Sequence, residues 1–469
     1  MSSNESSRNG HAVILAAGRG TRMRSRLAKV LHPILGRPMV VWPAEAAESA
    51  GLSVVLVVHH QEDAVRAAME DQRVSFARQE APQGTGDAVA SALAALPEAG
   101  TVVVLNGDGP LVRASTLEKL LEQHARSEAL LTVVSMMVDE PGSYGRIVRS
   151  AGGGAECIVE AAHATPEELA LNEVNTGLYA MDLAWLRGAI ARLEPHPPKG
   201  EYYLTDCVAF AAAEGRAGVM ILDDPEEALG VNSQVERAVA AGVLQNRIVH
   251  EHMRRGVAFE DPSSVTVEPG VMLGSDAWIE RGVVLRGQTS VGEGCRIGAY
   301  SVLIDAQVSP SAVVLPHSVL ESARVGAASS VGPFARLRPG TVLGTGCKVG
   351  NFVETKKTTL EDGAKASHLT YLGDARIGAG ANVGAGTITC NYDGYAKHRT
   401  EIGAGAFIGS NSALVAPLTV GDGAIVGAGS VVINDVEADA IVVARGEERV
   451  RSGAAARFRR RRSPRSKKD

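Results

Sequence analysis

Two regions gather residue types that can do chemistry. In Val13-Ile-Leu-Ala-Ala-Gly-Arg-Gly-Thr-Arg-Met23, a short apolar run breaks at Gly18 and Gly20, and Arg19, Arg22, Arg24, Arg26 and Lys29 crowd the loop that follows. Glycine lets the backbone turn sharply and approach a ligand closely. Turn N–H groups and guanidinium groups both bind anionic oxygens, so this loop suits a polyphosphate. The second region comprises Phe352-Val-Glu-Thr-Lys356-Lys357, Ser367-His368-Leu-Thr-Tyr371-Leu-Gly-Asp374 and Thr387-Ile-Thr-Cys-Asn391-Tyr392-Asp-Gly394 with Lys397-His-Arg399. Cations around one imidazole suit a sugar phosphate and a proton transfer near neutral pH, where histidine titrates. His368 is the candidate base, with an ordinary loop histidine as the alternative, and His398 is the rival base.

The elements that position the first loop alternate between strand and helix. Val54–Val58, Val74–Ala77, Thr101–Leu105, Leu130–Met137 and Thr176–Met181 read as strands, and Val40–Ala50, Asp63–Asp71, Asp87–Leu96, Thr116–Ala125 and Leu183–Leu193 carry helical apolar spacing. Such alternation implies a mostly parallel sheet under helices, with ligands at the carboxyl ends of its strands. The loop is neither a dinucleotide fingerprint, since Met23 stands where a third glycine belongs, nor a P-loop, since Gly-Lys-Ser/Thr is missing. Gln83-Gly84-Thr85-Gly86 opens a helix whose N-terminal amides face an anion or a base edge. Asn106-Gly107-Asp108 ends the strongest strand, where a carboxylate beside phosphates suits Mg²⁺. Spacing alone does not separate that role from a turn residue at Asp108.

From Asn232 to about Met253 an apolar stripe predicts one long connecting helix, ended by Arg254-Arg-Gly256. Beyond residue 257 a six-residue period takes over. Val325, Val331, Leu337, Leu343 and Val349 keep it, then Ile377 and Val383, then Ile402, Ile408, Leu414, Val420 and Val426. A hexapeptide repeat marks a parallel β-helix that buries one aliphatic per face, and a period of six is out of phase with an α-helix. The polar segments around Lys356, His368 and Asn391 interrupt the repeat, which makes them candidate site rather than scaffold.

Bulk properties set the frame. The chain has 469 residues, too many for one core, with 45% hydrophobic residues and a formal net charge of −6. No apolar run approaches the roughly 18 residues of a membrane span, and Met1 to Gly10 is not signal-like, so the expectation is a soluble cytoplasmic protein. Five scattered cysteines, Cys157, Cys207, Cys295, Cys347 and Cys390, suggest neither a disulfide framework nor a zinc site. Only 4% of residues are aromatic while 52 are glycine, which argues for tight turns and small side chains. The expected divisions are an α/β domain with a Rossmann-like mixed sheet over 1–233, a helical linker over 234–256, a β-helix over 257–450 and a basic, disordered tail over 451–469. A solubilising role is favoured for that tail over a nucleic-acid or membrane-surface contact.

Together the motifs support a family. Leu-Ala-Ala-Gly-x-Gly-Thr-Arg-Met, Lys-Val-Leu-His, Gly-Thr-Gly, Gly-Asp-x-Pro-Leu, Tyr-Gly-Arg-Ile, Val-Glu, Asn-Thr-Gly, Glu-Tyr-Tyr-x-Thr-Asp and Gly-Val-Asn occur in that order. The first half resembles the sugar-1-phosphate nucleotidyltransferases, most of all the bifunctional N-acetylglucosamine-1-phosphate uridyltransferase / glucosamine-1-phosphate N-acetyltransferase family. The second half resembles the left-handed β-helix acyltransferases, which are usually trimers. The resemblance implies that Leu15, Ala16, Ala17 and Gly18 line a uridine nucleotide, and that Gln79, Gly84 and Thr85 read its uracil. It also implies that Arg22 and Lys29 neutralise the triphosphate, that Asn106, Gly107 and Asp108 hold sugar and metal, and that Asp108 with Asn232 ligates Mg²⁺. Gly145, Glu160 and Asn175 would grip N-acetylglucosamine-1-phosphate.

In the second half, His368 aligns with the catalytic base. Arg338, Lys356, Tyr371, Asn382, Asn391 and Lys397 align with the glucosamine-1-phosphate site, and Ala385, Tyr392, Ser410, Ala428 and Arg445 with positions that meet acetyl-CoA. The implied activity is acetylation of glucosamine-1-phosphate, then uridylyl transfer from UTP, giving UDP-N-acetylglucosamine for bacterial envelope polysaccharide. The expected assembly is a homotrimer without specific nucleic-acid partners. Three positions depart from the pattern: Ala161-Ala162-His163 where Lys-Asp is common, Gly109 where a larger residue is frequent, and Asp87 in place of a usual histidine. They bear on sugar and base contacts rather than on the phosphate machinery. The rival readings are a glucose-1-phosphate adenylyltransferase and a non-catalytic regulatory subunit. The His368 and Lys356 segments argue against the first, and intact Arg22, Lys29 and Asp108 argue against the second.

Overall fold

The apolar run before the glycine loop is strand β1 (Gly10–Leu15), and it lies at the middle of a mixed sheet. The computed structural model describes residues 10–462, and the chain divides between Arg247 and Ile248 into two units. In the first unit the elements follow as α1 (Val41–Ser49), β2 (Ser53–Val58), α2 (Glu62–Ala68), β3 (Val74–Arg78), α3 (Thr85–Ala92), β4 (Thr101–Asn106) and α4 (Ala114–Ser127). Then come β5 (Leu131–Met137), β6 (Arg146–Arg149), β7 (Ala155–Val159), α5 (Pro166–Leu169), β8 (Glu173–Asp182), α6 (Leu183–Ile190), α7 (Asp206–Ala213) and β9 (Ala217–Ile221). The sheet order is β9-β5-β8-β4-β1-β2-β3, with the β6–β7 hairpin attached to β8. Pairing is parallel from β4 through β1 and β2 to β3, whereas β8 runs antiparallel to both β4 and β5.

The strands at the centre of this sheet are apolar on both faces. Val102, Val103 and Val104 are all 0% exposed because helices cover the sheet above and below. The hairpin and β9 were not among the strands expected from the sequence. They are short, their apolar residues are broken or flanked by Arg146, Arg149, Glu156 and Gly218, and Gly152-Gly-Gly154 separates the hairpin's arms. Helix α8 (Gln234–Arg254) covers the expected connector, and the division of the chain falls within it. Asn232, expected at its start, lies before it. The helix opens on Ser233, whose Oγ accepts the Glu236 N–H at 3.3 Å, while Glu236 Oε2 accepts the Asn232 N–H at 2.7 Å.

The second unit is a parallel β-helix of three sheets, with 11, 10 and 9 strands in register from coil to coil. All twelve period-six aliphatics picked out in the sequence are at most 3% exposed and belong to one continuous core. Each coil therefore contributes its aliphatics to a single stack, and stability passes from neighbour to neighbour. Leu337→Ala, at a position 0% exposed, is expected to cost about 2–5 kcal/mol, read from the denaturant midpoint of acetyl transfer. The tail expected to be disordered is instead helical over Ala454–Arg462, since alanine and arginine are both strong helix formers. Positions 463–469 of that tail lie outside the described residues. Among the described residues no helix is long and apolar enough to cross a membrane.

Candidate functional site

Strand register brings the first site together. Leu15 at the end of β1 pairs with Val57 of β2 and with Asn106 of β4, so the glycine loop and Asn106-Gly107-Asp108 leave the sheet side by side. The Gly107 N–H donates to the Leu15 carbonyl at 3.0 Å, and a Cβ on Gly107 would come within 2.9 Å of that oxygen. Only glycine permits this closeness. Gly20 has φ +66°, a left-handed conformation, and opens a short turn of helix over Thr21–Met23. A Cβ there would meet the Lys29 side chain at 2.4 Å. The loop's backbone thus seats the lysine.

Lys29 reaches across to the Asp108 carboxylate and to Asn232 Oδ1, the latter at 3.1 Å. Arg22 Nη2 donates to the same Asn232 oxygen at 2.7 Å. Lys29 and Asp108 are only 14% and 19% exposed, so their charges are felt strongly. The Asn232 loop is fastened to Asp108 by the Val231 N–H on the Asp108 carbonyl at 2.9 Å. Two cations and two oxygen donors from distant parts of the chain thus converge. Such an arrangement can take a polyanion and offers oxygen atoms to a hard cation.

Leu15, Ala17, Gly18, Lys29, Gln79, Gly84, Thr85, Asn106 and Glu160 line one cleft of about 790 Å³. Ala16 is buried beneath it. Asp108, Asn232 and Arg22 line an adjoining recess that shares Asn106. Gly145 and Asn175 are joined by the Asn175 N–H on the Gly145 carbonyl at 2.9 Å, and Gly145 packs close to the Glu160 carboxylate. The Asn175 carboxamide is engaged at both ends, donating to Tyr179 at 2.7 Å and accepting from the Gly177 N–H at 3.0 Å. Burial raises the Glu160 carboxyl above the usual carboxylate range, against a hydrogen bond from Thr205 and the nearby His163. The Thr85 hydroxyl accepts the Leu204 N–H at 3.1 Å, which leaves its own proton free to donate.

In the second unit, His368 ends the strand Lys365–His368, and its register partner one coil earlier is Asn351. Asn351 Oδ1 lies 2.7 Å from His368 Nδ1. An amide oxygen only accepts, so Nδ1 carries the proton and Nε2 keeps its lone pair for a substrate. The corner after His368 leads directly to Tyr371 in the next sheet. There Arg338, the strand Glu354–Lys356, Tyr371 and Asn391 occupy successive coils. Tyr371 Oη and Asn391 Nδ2 both close over Gly373, where a Cβ would meet them at 2.4 and 2.6 Å. Asn391 Nδ2 donates to Asp374 at 2.5 Å, and Arg338 pairs with Glu354 at 2.9 Å.

Lys397, beside Lys356, lowers the Lys356 ammonium below the usual lysine range, and Arg338 adds to the effect. Such a cluster of like charges is relieved by an anion. Asn382 is paired in register with Lys365 on the next coil of the His368 sheet. Along the corner that carries His368, the Asn411 N–H donates to the Ala385 carbonyl at 2.7 Å, and the Gly429 N–H to the Ser410 carbonyl at 2.8 Å. Ala385, Ser410 and Ala428 therefore form a column above the imidazole, and Arg445 Nη1 holds the Ala428 carbonyl at 2.7 Å. Tyr392 is exposed on the neighbouring loop, where its hydroxyl donates to Gly394 at 2.6 Å. His398 pairs with Asp393 at 2.7 Å within that loop. Asn351 lies outside the segments singled out in the sequence, and Glu354 and Asp374 lie within them without an assigned role. The coil spacing is the signal that points to Asn351 and Asp374, since each lies 17 residues from the residue it holds.

Comparison with known proteins settles the class. Residues 12–164 match the MobA-like NTP transferase domain, 264–360 the GMPPB C-terminal domain, and 399–434 the bacterial transferase hexapeptide model of six repeats. The chain is 48% identical to the bifunctional protein GlmU of Trichlorobacter lovleyi over 92% of its own length and 95% of the relative's. The chain belongs to the GlmU family. The GlmU of Pelobacter propionicus is 45% identical over 94% of this chain and 97% of its own length, and that of an Anaeromyxobacter species 50% over 87% and 84%. As a GlmU-family member the chain is a bifunctional enzyme, a nucleotidyltransferase in its first unit and a hexapeptide acyltransferase in its second.

Proposed function

We propose that the second unit acetylates glucosamine-1-phosphate with acetyl-CoA and that the first joins the product to UTP, releasing pyrophosphate and UDP-N-acetylglucosamine. The observation that carries the reading is the pairing of two chemistries on one chain. The Arg22–Lys29–Asp108–Asn232 cluster suits a triphosphate, and the second unit carries both the Asn351-held His368 and a cluster of three cations, Arg338, Lys356 and Lys397. An adenylyltransferase has no use for the second of these.

In the second unit, Arg338, Lys356 and Lys397 hold the sugar phosphate, with Tyr371, Asn382 and Asn391 around the sugar. His368 Nε2 takes a proton from the 2-amino group as its nitrogen attacks the thioester carbonyl. The C–S bond then breaks, and the CoA sulfur leaves and is protonated. Ala385, Ser410 and Ala428, with Tyr392 and Arg445, form the path for acetyl-CoA along the His368 corner. His398 is the weaker base candidate because Asp393 takes its outer nitrogen, Nε2, whereas the contact to Asn351 at His368 takes Nδ1.

In the first unit, a phosphate oxygen of N-acetylglucosamine-1-phosphate attacks the α-phosphorus of UTP in line, and pyrophosphate departs. Arg22 and Lys29 neutralise the charge that builds on the departing phosphates. Leu15 to Gly18 pack on the nucleoside, Gln79, Gly84 and Thr85 read the base, and Asn106, Gly107, Gly145, Glu160 and Asn175 surround the acetylated sugar. Asp108 and Asn232 would hold Mg²⁺, since they offer two oxygen donors at a point where the Lys29 ammonium already sits. The ion would supply positive charge that offsets the charge of the phosphates. The enzyme acts in the cytoplasm as a homotrimer, supplying envelope polysaccharide synthesis.

Purified protein given glucosamine-1-phosphate, acetyl-CoA, UTP and Mg²⁺ should form UDP-N-acetylglucosamine, and its absence from the products would refute the reading. Gly20→Ala should push Lys29 out of place and lower uridylyl transfer about a hundredfold, with acetyl transfer unchanged in the same preparation.

The half-buried Glu160 supplies a pH test. A carboxyl whose folded pKa lies above its unfolded value disfavours folding once ionised, so its contribution to stability falls as pH rises through that raised value. Glu160→Gln should therefore raise the melting temperature of the first unit at pH 8. The gain should vanish below the ordinary carboxylate range, and uridylyl transfer should weaken at both pH values.

A further inference from the structure

We infer that Asp87 is a positioning residue for base selection: it locks the Gln79 carboxamide with its oxygen toward the nucleobase, so that the cleft accepts a pyrimidine carrying an N3–H and rejects one that presents a lone pair there. Gln79 is 2% exposed yet borders the nucleotide cleft. Its Nε2 donates to Asp87 Oδ2 at 2.6 Å and to the Gly84 carbonyl at 3.3 Å. Both partners are pure acceptors, so the amide cannot be turned over without setting its oxygen against a carboxylate and a carbonyl. Oε1 is left as the group that meets a ligand. It can accept the N3–H of uracil, whereas cytosine has an unprotonated N3 and would oppose lone pair to lone pair.

Asp87 is itself held. It lies in the first turn of α3, where a negative charge is favoured, and its Oδ2 also accepts the Gln83 N–H at 3.3 Å. The stretch between the two residues is pinned as well. The Tyr202 N–H donates to the Gln83 carbonyl at 2.7 Å, and Gly84, at φ +103°, lies so close to Tyr202 that a Cβ would meet its carbonyl at 2.5 Å. Gln79, Gly84 and Asp87 therefore behave as one rigid reader in which only the Gln79 oxygen faces outward. Asp87 is also where this chain departs from the histidine usual at that position. The inference rests on uridylyl transfer in the first unit and adds how that unit chooses its base.

The test compares UTP with CTP as donors to N-acetylglucosamine-1-phosphate in the full-length enzyme, with acetyl transfer followed in the same preparations. Asp87→Ala frees the amide to turn over. Its kcat/KM for UTP should fall about tenfold or more, chiefly through KM, because a hydrogen bond to a charged group is lost. The value for CTP should hardly change, so the UTP-to-CTP ratio falls with it. Asp87→Asn keeps an acceptor without the charge, and its ratio should lie between wild type and Asp87→Ala. A purely structural role would lower both nucleotides together and leave the ratio unchanged, and that result overturns the inference. If Asp87→Ala does not fold, the ratio of Asp87→Asn decides alone. A wild-type enzyme that uses UTP with an unchanged ratio in the variants refutes only the role of Asp87, whereas one that uses no UTP refutes the activity as well.

Discussion

His368→Ala should lose acetyl transfer by about two to four orders of magnitude while keeping wild-type uridylyl transfer, since general-base removal typically costs that much. The expectation is specific because the geometry is. The Nδ1 bond to Asn351 at 2.7 Å fixes one tautomer, and the cationic sheet begins just past the corner that follows the imidazole. The scaffold should tolerate the change, because His368 is exposed and contributes nothing to the aliphatic stack. An intermediate loss is expected of Asn351→Ala, whose imidazole keeps its nitrogen but not its tautomer. Measuring thiol release from acetyl-CoA beside pyrophosphate release from UTP checks both.

Lys29→Ala should do the reverse, lowering uridylyl transfer by about two to three orders of magnitude and sparing acetyl transfer. Preorganised charge at a phosphoryl centre supplies stabilisation of that size. The lysine is only 14% exposed and touches both oxygen donors of the cluster, so no solvent cation matches its position. Its loss also leaves Asp108 without its partner, at some cost in stability. Arg22→Ala should act in the same direction and less severely, because Arg22 holds Asn232 alone.

Much of this was legible in the sequence, for physical reasons that differ between the halves. The hexapeptide period was legible because each aliphatic faces one continuous core, and none of the twelve exceeds 3% exposure. The glycine loop and the Asn106-Gly107-Asp108 turn were legible because Gly20 and Gly107 stand where a Cβ would strike Lys29 and Leu15. Less was visible where partners come from different coils or loops. Asn351 meets His368 only because a coil closes between them, and Asp87 reaches Gln79 across a turn. The β6–β7 hairpin escaped notice because its short strands carry Arg146, Arg149 and Glu156 among their apolar residues. The basic tail read as disordered from its charge, and its alanines and arginines form a helix over Ala454–Arg462 instead.

The most direct test of two separate active sites that share one intermediate is complementation. His368→Ala and Lys29→Ala proteins are assayed singly and then mixed, with glucosamine-1-phosphate, acetyl-CoA, UTP and Mg²⁺ supplied throughout. Each alone should make almost no UDP-N-acetylglucosamine, and the mixture should make it readily, because one variant still acetylates the sugar that the other still joins to UTP. A mixture as inactive as its components, with each variant's remaining half-reaction intact, would contradict the account.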